Sequence, residues 1–127
     1  MNRNELMART KQFALRVIRL CSALSKGVAT DVISRQLLRS ATSVGANYRA
    51  ACRARSQSDF VAKMAIVEEE ADESVYWIEL LIESNSVDRR RVTPLLAEAN
   101  ELTAIASASR KTARARVNRQ STIDNRQ

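Results

Sequence analysis

Apolar residues recur along most of the chain at spacings of three, four and seven, the pattern that places side chains on one face of an α-helix. The first apolar stripe is followed by Gly27, a candidate helix stop, and the second begins after the capping pair Thr30-Asp31. Together these two stripes predict helices over about residues 4–25 and 31–54.

Two further helices are predicted by the same spacing and by the residues that precede it. Ser56 and Asp59 have the spacing of a capping box ahead of the third apolar stripe. Thr93-Pro94 places a capping residue before a proline at the first helical position of the fourth. The predicted helices cover about residues 59–84 and 94–117.

Four helices joined by short connections predict one all-α domain over residues 1–117, an up-down antiparallel four-helix bundle. Residues 118–127 show no apolar periodicity and are rich in polar groups. We therefore expect this segment to form a frayed or disordered basic tail.

The second helix carries another stripe, roughly 200° around the helix from its apolar one. Gly45 lies in the same helix, where a glycine costs about 1 kcal/mol relative to alanine, so close packing against a neighbour is its expected role. The side chains of this second stripe are small in its middle and basic at its ends: Arg35, Arg39, Thr42, Ala46, Arg49 and Arg53.

Composition agrees with a helical fold and removes most enzyme chemistry. The 127 residues include two glycines and one proline, too few turn formers for a β architecture, and no histidine. Without histidine the commonest general base and metal ligand is missing. Cys21 and Cys52 are too few for a thiolate metal site and lie within apolar helical patterns, so we expect no metal, no cofactor and no enzymatic activity. No apolar run is long enough for a membrane span, so we expect a cytoplasmic protein.

Charge is distributed unevenly along the chain. The net charge is +7, yet residues 59–83 hold eight acidic residues and a single lysine. Residues 110–127 hold six basic residues and one acid. A basic excess of this size favours contact with polyanions such as nucleic acid.

Three stretches of the sequence resemble a known family. They are the runs QLLRSATSVGANYR at 36–49, SDF at 58–60 and EEADESVYWIELL at 69–81. In this order and at this separation they resemble the bacterial four helix bundle family, also called the 23S rRNA intervening sequence protein family. The resemblance covers roughly residues 6–112.

The resemblance implies an up-down bundle that assembles into a five-membered ring and has no enzymatic activity. It also implies kinship to Avd, the accessory protein of diversity-generating retroelements, which engages a reverse transcriptase and nucleic acid. The partners it suggests are therefore further copies of the chain as a homopentamer, RNA or DNA, and a protein such as a reverse transcriptase.

Two sets of charged residues are candidate sites, and each has a structural alternative. The nucleic-acid hypothesis assigns phosphate contacts to basic residues near the C-terminus and on one flank of the first helix, with solvated helix faces as the alternative: Arg110, Lys111, Arg114, Arg116, Arg119, Arg9, Arg16 and Arg19. The second set is expected to form ion pairs within the bundle or across a subunit boundary, although its arginines could instead follow phosphates: Arg35, Arg39, Arg49, Arg53, Glu69, Glu70 and Glu73. Arg39 is one candidate partner for Glu70.

Two classes of function follow from these assignments. The first is an accessory module that binds the backbone of RNA or DNA, a protein partner, or both. The second is a structural or protein-interaction scaffold whose charged faces serve assembly of the homo-oligomer.

Overall fold

The computed structural model describes residues 1–126, with the side chains of residues 1–125. Four α-helices and no strand occur within this part of the chain: α1 (Arg3–Ala23), α2 (Val28–Cys52), α3 (Gln57–Glu83) and α4 (Arg89–Arg126). Each helix packs on the one before it, and α1 also touches α4. This arrangement is the predicted helical bundle.

Neighbouring helices run in opposite directions. Thr10 of α1 faces Gly45 of α2, whereas Cys21, later in α1, lies against Ser34, earlier in α2. Residues later in α1 therefore contact residues earlier in α2, so the two helices are antiparallel, as short connections require.

The core is aliphatic and closely packed. Each helix buries the apolar stripe that the sequence pattern indicates, so that side chains such as Phe13, Leu37, Ile78 and Leu102 are fully enclosed. A Cβ atom on Gly45 would lie 3.3 Å from the Thr10 hydroxyl oxygen, so α1 and α2 approach closely at this point. Gly45 therefore has the packing role expected of it.

The start of α2 differs from the predicted one. The helix begins at Val28 with Gly27 as its N-cap, three residues before the predicted position. Thr30 does not cap the helix, because its hydroxyl donates to the carbonyl oxygens of Ser25 and Gly27. Gly27 thus starts α2, while α1 has already ended at Ala23.

Ser56 caps α3 as its spacing with Asp59 predicts, since its Oγ accepts a hydrogen bond from the Asp59 N–H at 3.0 Å. The predicted start of α4 was wrong. The helix begins at Arg89, because Asp88 supplies the cap by accepting from the Arg90 N–H at 3.0 Å. Pro94 then lies inside the helix on an exposed face, where the carbonyl that loses its usual partner can be solvated.

The C-terminal segment also differs from the expectation. Helix α4 does not stop at residue 117 but continues to Arg126, so residues 118–126 are helical rather than frayed. Most of their side chains are exposed, which explains why no apolar periodicity marks this part of the helix. Gln127, the last residue of the predicted tail, lies outside the described residues.

Candidate nucleic-acid interface

The acidic helix α3 is bound to α2 through Arg39. Its guanidinium contacts the carboxylates of Glu70, at 3.1 Å, and Glu73. Glu73 also accepts a hydrogen bond from the indole N–H of Trp77 at 3.0 Å. These candidate ion-pair residues are therefore brought together within one chain, at a partly exposed edge of the α2/α3 contact.

Two of the candidate phosphate contacts are engaged inside the bundle. Arg9 binds Glu98 at 2.6 Å and Glu101 at 2.8 Å, which ties α1 to α4 and raises the pKa of the guanidinium. Arg110 binds Glu68 of α3 at 2.7 Å. Because each guanidinium already has a carboxylate partner, Arg9 and Arg110 are poor candidates for phosphate binding.

The rest of the second set remains at the surface. Arg35, Arg49, Arg53 and Glu69 are exposed, and within the described residues none of them forms an ion pair. The Nε of Arg35 donates to the carbonyl oxygen of Asp31 at 3.3 Å, a contact within its own helix. The outer face of α2 is thus basic and solvated in the isolated chain.

The basic cluster of α4 is divided between two faces of the helix. Arg114 lies with Arg110 along a groove whose other wall is acidic, formed by Glu68, Glu69 and Asp72 of α3. The pKa of the Glu68 carboxyl is lowered mainly by the hydrogen bond from Arg110 and, to a smaller extent, by the charge of Lys111, which lies near this carboxylate. Acidic neighbours therefore reduce the positive potential around both Lys111 and Arg114.

The other face of α4 is free of such neighbours. Arg116 and Arg119 are exposed there, one turn apart, and Arg116 lines a cleft of about 660 Å³ at the end of the bundle. The cleft also receives Arg3 from the start of α1 and Arg55 from the turn between α2 and α3. We call these four arginines the basic end.

The cleft has three basic side chains and no acidic one among the described residues that line it. Its floor is small and apolar, with Ala51, Ala113 and the ring of Phe60. A smaller depression of about 330 Å³ shares Arg116 and the first residues of α3 and continues along α4 to Ser121. The two depressions together form a path over the end of the bundle.

The helix lengths explain why this end is open. Helix α1 begins at Arg3, while α4 passes that level and continues to Arg126. In the antiparallel register set by Thr10 and Gly45, Arg3 is about level with Cys52, where α2 also ends, so α4 continues past the ends of both α1 and α2. The opening follows from unequal helices that share one core.

Arg16 and Arg19 do not join the basic end. They lie in α1 about 20 Å along the helix axis from Arg3, at 1.5 Å per residue, toward the opposite end of the bundle. Within the described residues neither of them forms an ion pair. The predicted set of phosphate contacts is thus separated into four pairs: Arg9 and Arg110 in ion pairs, Lys111 and Arg114 beside acidic residues, Arg16 and Arg19 far from the cleft, and Arg116 and Arg119 at the basic end.

Sequence reasoning missed Arg3, Arg55 and Phe60. Each comes from a different segment, and none lies in a charge run, so no periodicity could have grouped them. It also missed Glu98 and Glu101 as partners of Arg9, since only the α1/α4 contact brings them together.

Comparison with known proteins bears on the fold and the family. The family described as 23S rRNA-intervening sequence protein matches residues 2–108. A crystal structure of a protein with unknown function from the S23 ribosomal protein family of Bacteroides thetaiotaomicron VPI-5482 is 34% identical, with a TM-score of 0.80. The alignment covers 87% of this chain and 99% of that one. No curated protein shows a significant match.

Within the described residues, no helix is both long enough and apolar enough to cross a bilayer.

Proposed function

Because the chain belongs to the 23S rRNA-intervening sequence protein family, we propose that it is a non-enzymatic accessory bundle that binds the phosphate backbone of RNA or DNA. The observation that carries this proposal is the cleft at the basic end, where Arg3, Arg55 and Arg116 converge from three parts of the chain. Two of the arginines assigned to phosphate contacts from the sequence, Arg116 and Arg119, belong to this end.

Charge separation supports binding at this place. The acids of the chain are concentrated on α3, where Arg39 and Arg110 bind several of them. The arginines of the basic end have no carboxylate within ion-pair distance among the described side chains. Guanidinium groups that no carboxylate holds can neutralise phosphates and release counterions. Contacts of this kind position a nucleic acid without reading its sequence.

The absence of enzymatic activity is part of the proposal. The chain has no histidine. The cleft does hold possible nucleophiles, the Cys52 thiol and the hydroxyls of Ser56, Ser109 and Thr112, but no side chain that could act as their base is among the described residues that line it. Arginine remains protonated in proteins and so cannot act as a general base. A binding role therefore suits the residues better than a catalytic one.

The experiment is a comparison of two double variants with equal changes in charge. Arg116→Gln with Arg119→Gln removes two charges from the basic end, and Arg89→Gln with Arg90→Gln removes two exposed charges from the start of α4. Binding of a 3′-labelled 20-nucleotide RNA, followed by fluorescence anisotropy, should weaken about tenfold or more in the first variant and much less in the second. Equal weakening in both variants would show that only net charge matters and would reject this site.

We also propose that copies of the chain associate into a ring-like homo-oligomer, the pentamer that the family resemblance implies. Support comes from large apolar side chains left exposed on all four helices and from the small outer face of α2 at Thr42 and Ala46. Association in a ring would bury such side chains, whose exposure in the isolated chain costs free energy. The exposed groups include Leu15, Ile18, Val32, Ile66 and Tyr76.

Sedimentation velocity tests the assembly. Ala46→Glu and Arg35→Glu change exposed positions on the outer face of α2, so they should leave the bundle folded but break the oligomer. Arg90→Glu, which makes the same charge reversal as Arg35→Glu at the start of α4, should leave it intact. A wild-type monomer at micromolar concentration would contradict the assembly. So would a full-size oligomer in both α2 variants. If assembly is present while RNA binding is absent, the chain is a structural scaffold.

A further inference from the structure

We propose that the cleft at the basic end binds a nucleotide that carries a phosphomonoester, either free or at the end of a strand. This inference deepens the proposed function and rests on it. It adds to backbone binding a preference of the cleft for a terminal phosphate, which an internal diester does not offer.

The charge of the cleft fits a phosphomonoester better than a diester. Arg3, Arg55 and Arg116 all line one space, and no acidic residue shares its described lining. A phosphomonoester carries a charge of about −1.5 to −2 at neutral pH and has three acceptor oxygens. Guanidinium groups bind such oxygens in bidentate geometry. An internal phosphodiester, with one charge and two free oxygens, would use fewer of these donors.

The acid closest to the cleft is already occupied. Asp59 accepts a hydrogen bond from Lys63 at 2.6 Å, and this pairing lowers the pKa of its carboxyl. Its other oxygen accepts from the backbone N–H of Arg55 at 3.4 Å. Asp59 therefore holds the turn in place; the charge of Arg55 also contributes to lowering the pKa of the Asp59 carboxyl, but the Arg55 guanidinium lies beyond ion-pair distance and lines the cleft.

The cleft is large enough for more than a phosphate, and one aromatic side chain lines it. A volume of about 660 Å³ is within the range of small-molecule sites and is large for a lone phosphate. Phe60 lines the cleft and is partly exposed while it also packs against the core, so its exposed part offers an aromatic contact to a base. The remaining wall is lined by small side chains, which leave space in the cleft: Ala51, Ala54 and Ala108. A base and a sugar can therefore follow the phosphate into the same space.

The test compares oligonucleotides that differ only in their terminal phosphate. Three 12-nucleotide RNAs, with a 5′-phosphate, a 3′-phosphate or hydroxyls at both ends, compete against a fluorescent RNA on the intact protein. At least one phosphorylated RNA should bind about tenfold tighter than the hydroxyl form. AMP, phosphoserine and inorganic phosphate are tested in parallel. Displacement by AMP indicates that a free nucleotide is sufficient, and displacement only by a phosphorylated RNA indicates a strand end.

Variants locate the effect in the cleft. Arg55→Gln and Arg3→Gln change exposed side chains, and each should bring the ratio between phosphorylated and hydroxyl RNA close to one. The matched control Arg90→Gln should keep the wild-type ratio. Equal binding of all three RNAs by the wild type would overturn the inference while leaving backbone binding intact. Phosphoserine or inorganic phosphate that competes as well as AMP would also overturn it. If no RNA binds at all, the proposed function fails with it.

Discussion

The Nε of Arg110 donates a hydrogen bond to Oε1 of Glu68 at 2.7 Å and so fastens α4 to α3. Both side chains are about three-quarters covered. This pair separates the basic cluster of α4 into a structural arginine and the free arginines further along the helix. The sequence run that contains them gives no sign of this difference.

Arg110→Gln should therefore lower the thermal stability of the protein, whereas Arg119→Gln should leave it almost unchanged. The first change leaves Glu68 without its partner, and the second removes an exposed charge that holds no carboxylate. Thermal unfolding followed by circular dichroism checks both variants under the same conditions. Identical melting temperatures for the two would contradict the structural role of Arg110.

The same pair predicts a dependence on pH. The Arg110 guanidinium lowers the pKa of the Glu68 carboxyl below its ordinary value. Because the unfolded chain lacks this pairing, the contribution of Glu68 to the free energy of unfolding is complete above the ordinary pKa and is lost as the pH falls through the lowered one. Wild type should be more stable than Glu68→Gln at pH 7, and the difference should shrink below about pH 4. A difference that stays constant from pH 7 to pH 3 would be inconsistent with the pairing.

Gly45 provides a test of the close contact between α1 and α2. Alanine would gain about 1 kcal/mol in helix propensity, but its Cβ would press on the Thr10 side chain, so we expect Gly45→Ala to lie within about 1 kcal/mol of wild type. Gly45→Val adds two more methyl groups at a contact that is already 3.3 Å and should destabilise the fold by about 1–3 kcal/mol. Urea denaturation measures both changes. A valine variant as stable as wild type would mean that the two helices are further apart.

Sequence periodicity anticipates the bundle because each helix must bury one apolar stripe. In α2 and α3 most of the residues spaced three or four apart are buried, such as Leu37, Ala41 and Val44 in α2 and Met64, Val67 and Ala71 in α3. It is less successful at helix ends. The pair Thr93-Pro94 has the form of a helix start, but Asp88 caps the helix earlier and Val92 joins the core ahead of the proline. The start of α4 is therefore set by the earlier cap and by the burial of Val92, and not by the local Thr93-Pro94 motif.

The candidate site is harder to predict because it depends on contacts between distant segments. Whether Arg9 is free depends on Glu98 and Glu101, about ninety positions away, and on the packing of α1 against α4. The cleft depends on where α1 begins relative to α4, a register that no single helix determines. Residue type identifies the arginines as candidates, and only the packing identifies which of them are unpaired.

The salt dependence of RNA binding shows whether the basic end of the bundle binds phosphates. If the basic end neutralises phosphates, the logarithm of the association constant should fall linearly with the logarithm of salt concentration. The double variant Arg116→Gln with Arg119→Gln should lower the steepness of that line by about 1.4, roughly 0.7 for each lost contact to a single strand. Binding that does not change with salt, or no binding at low salt, would contradict the account.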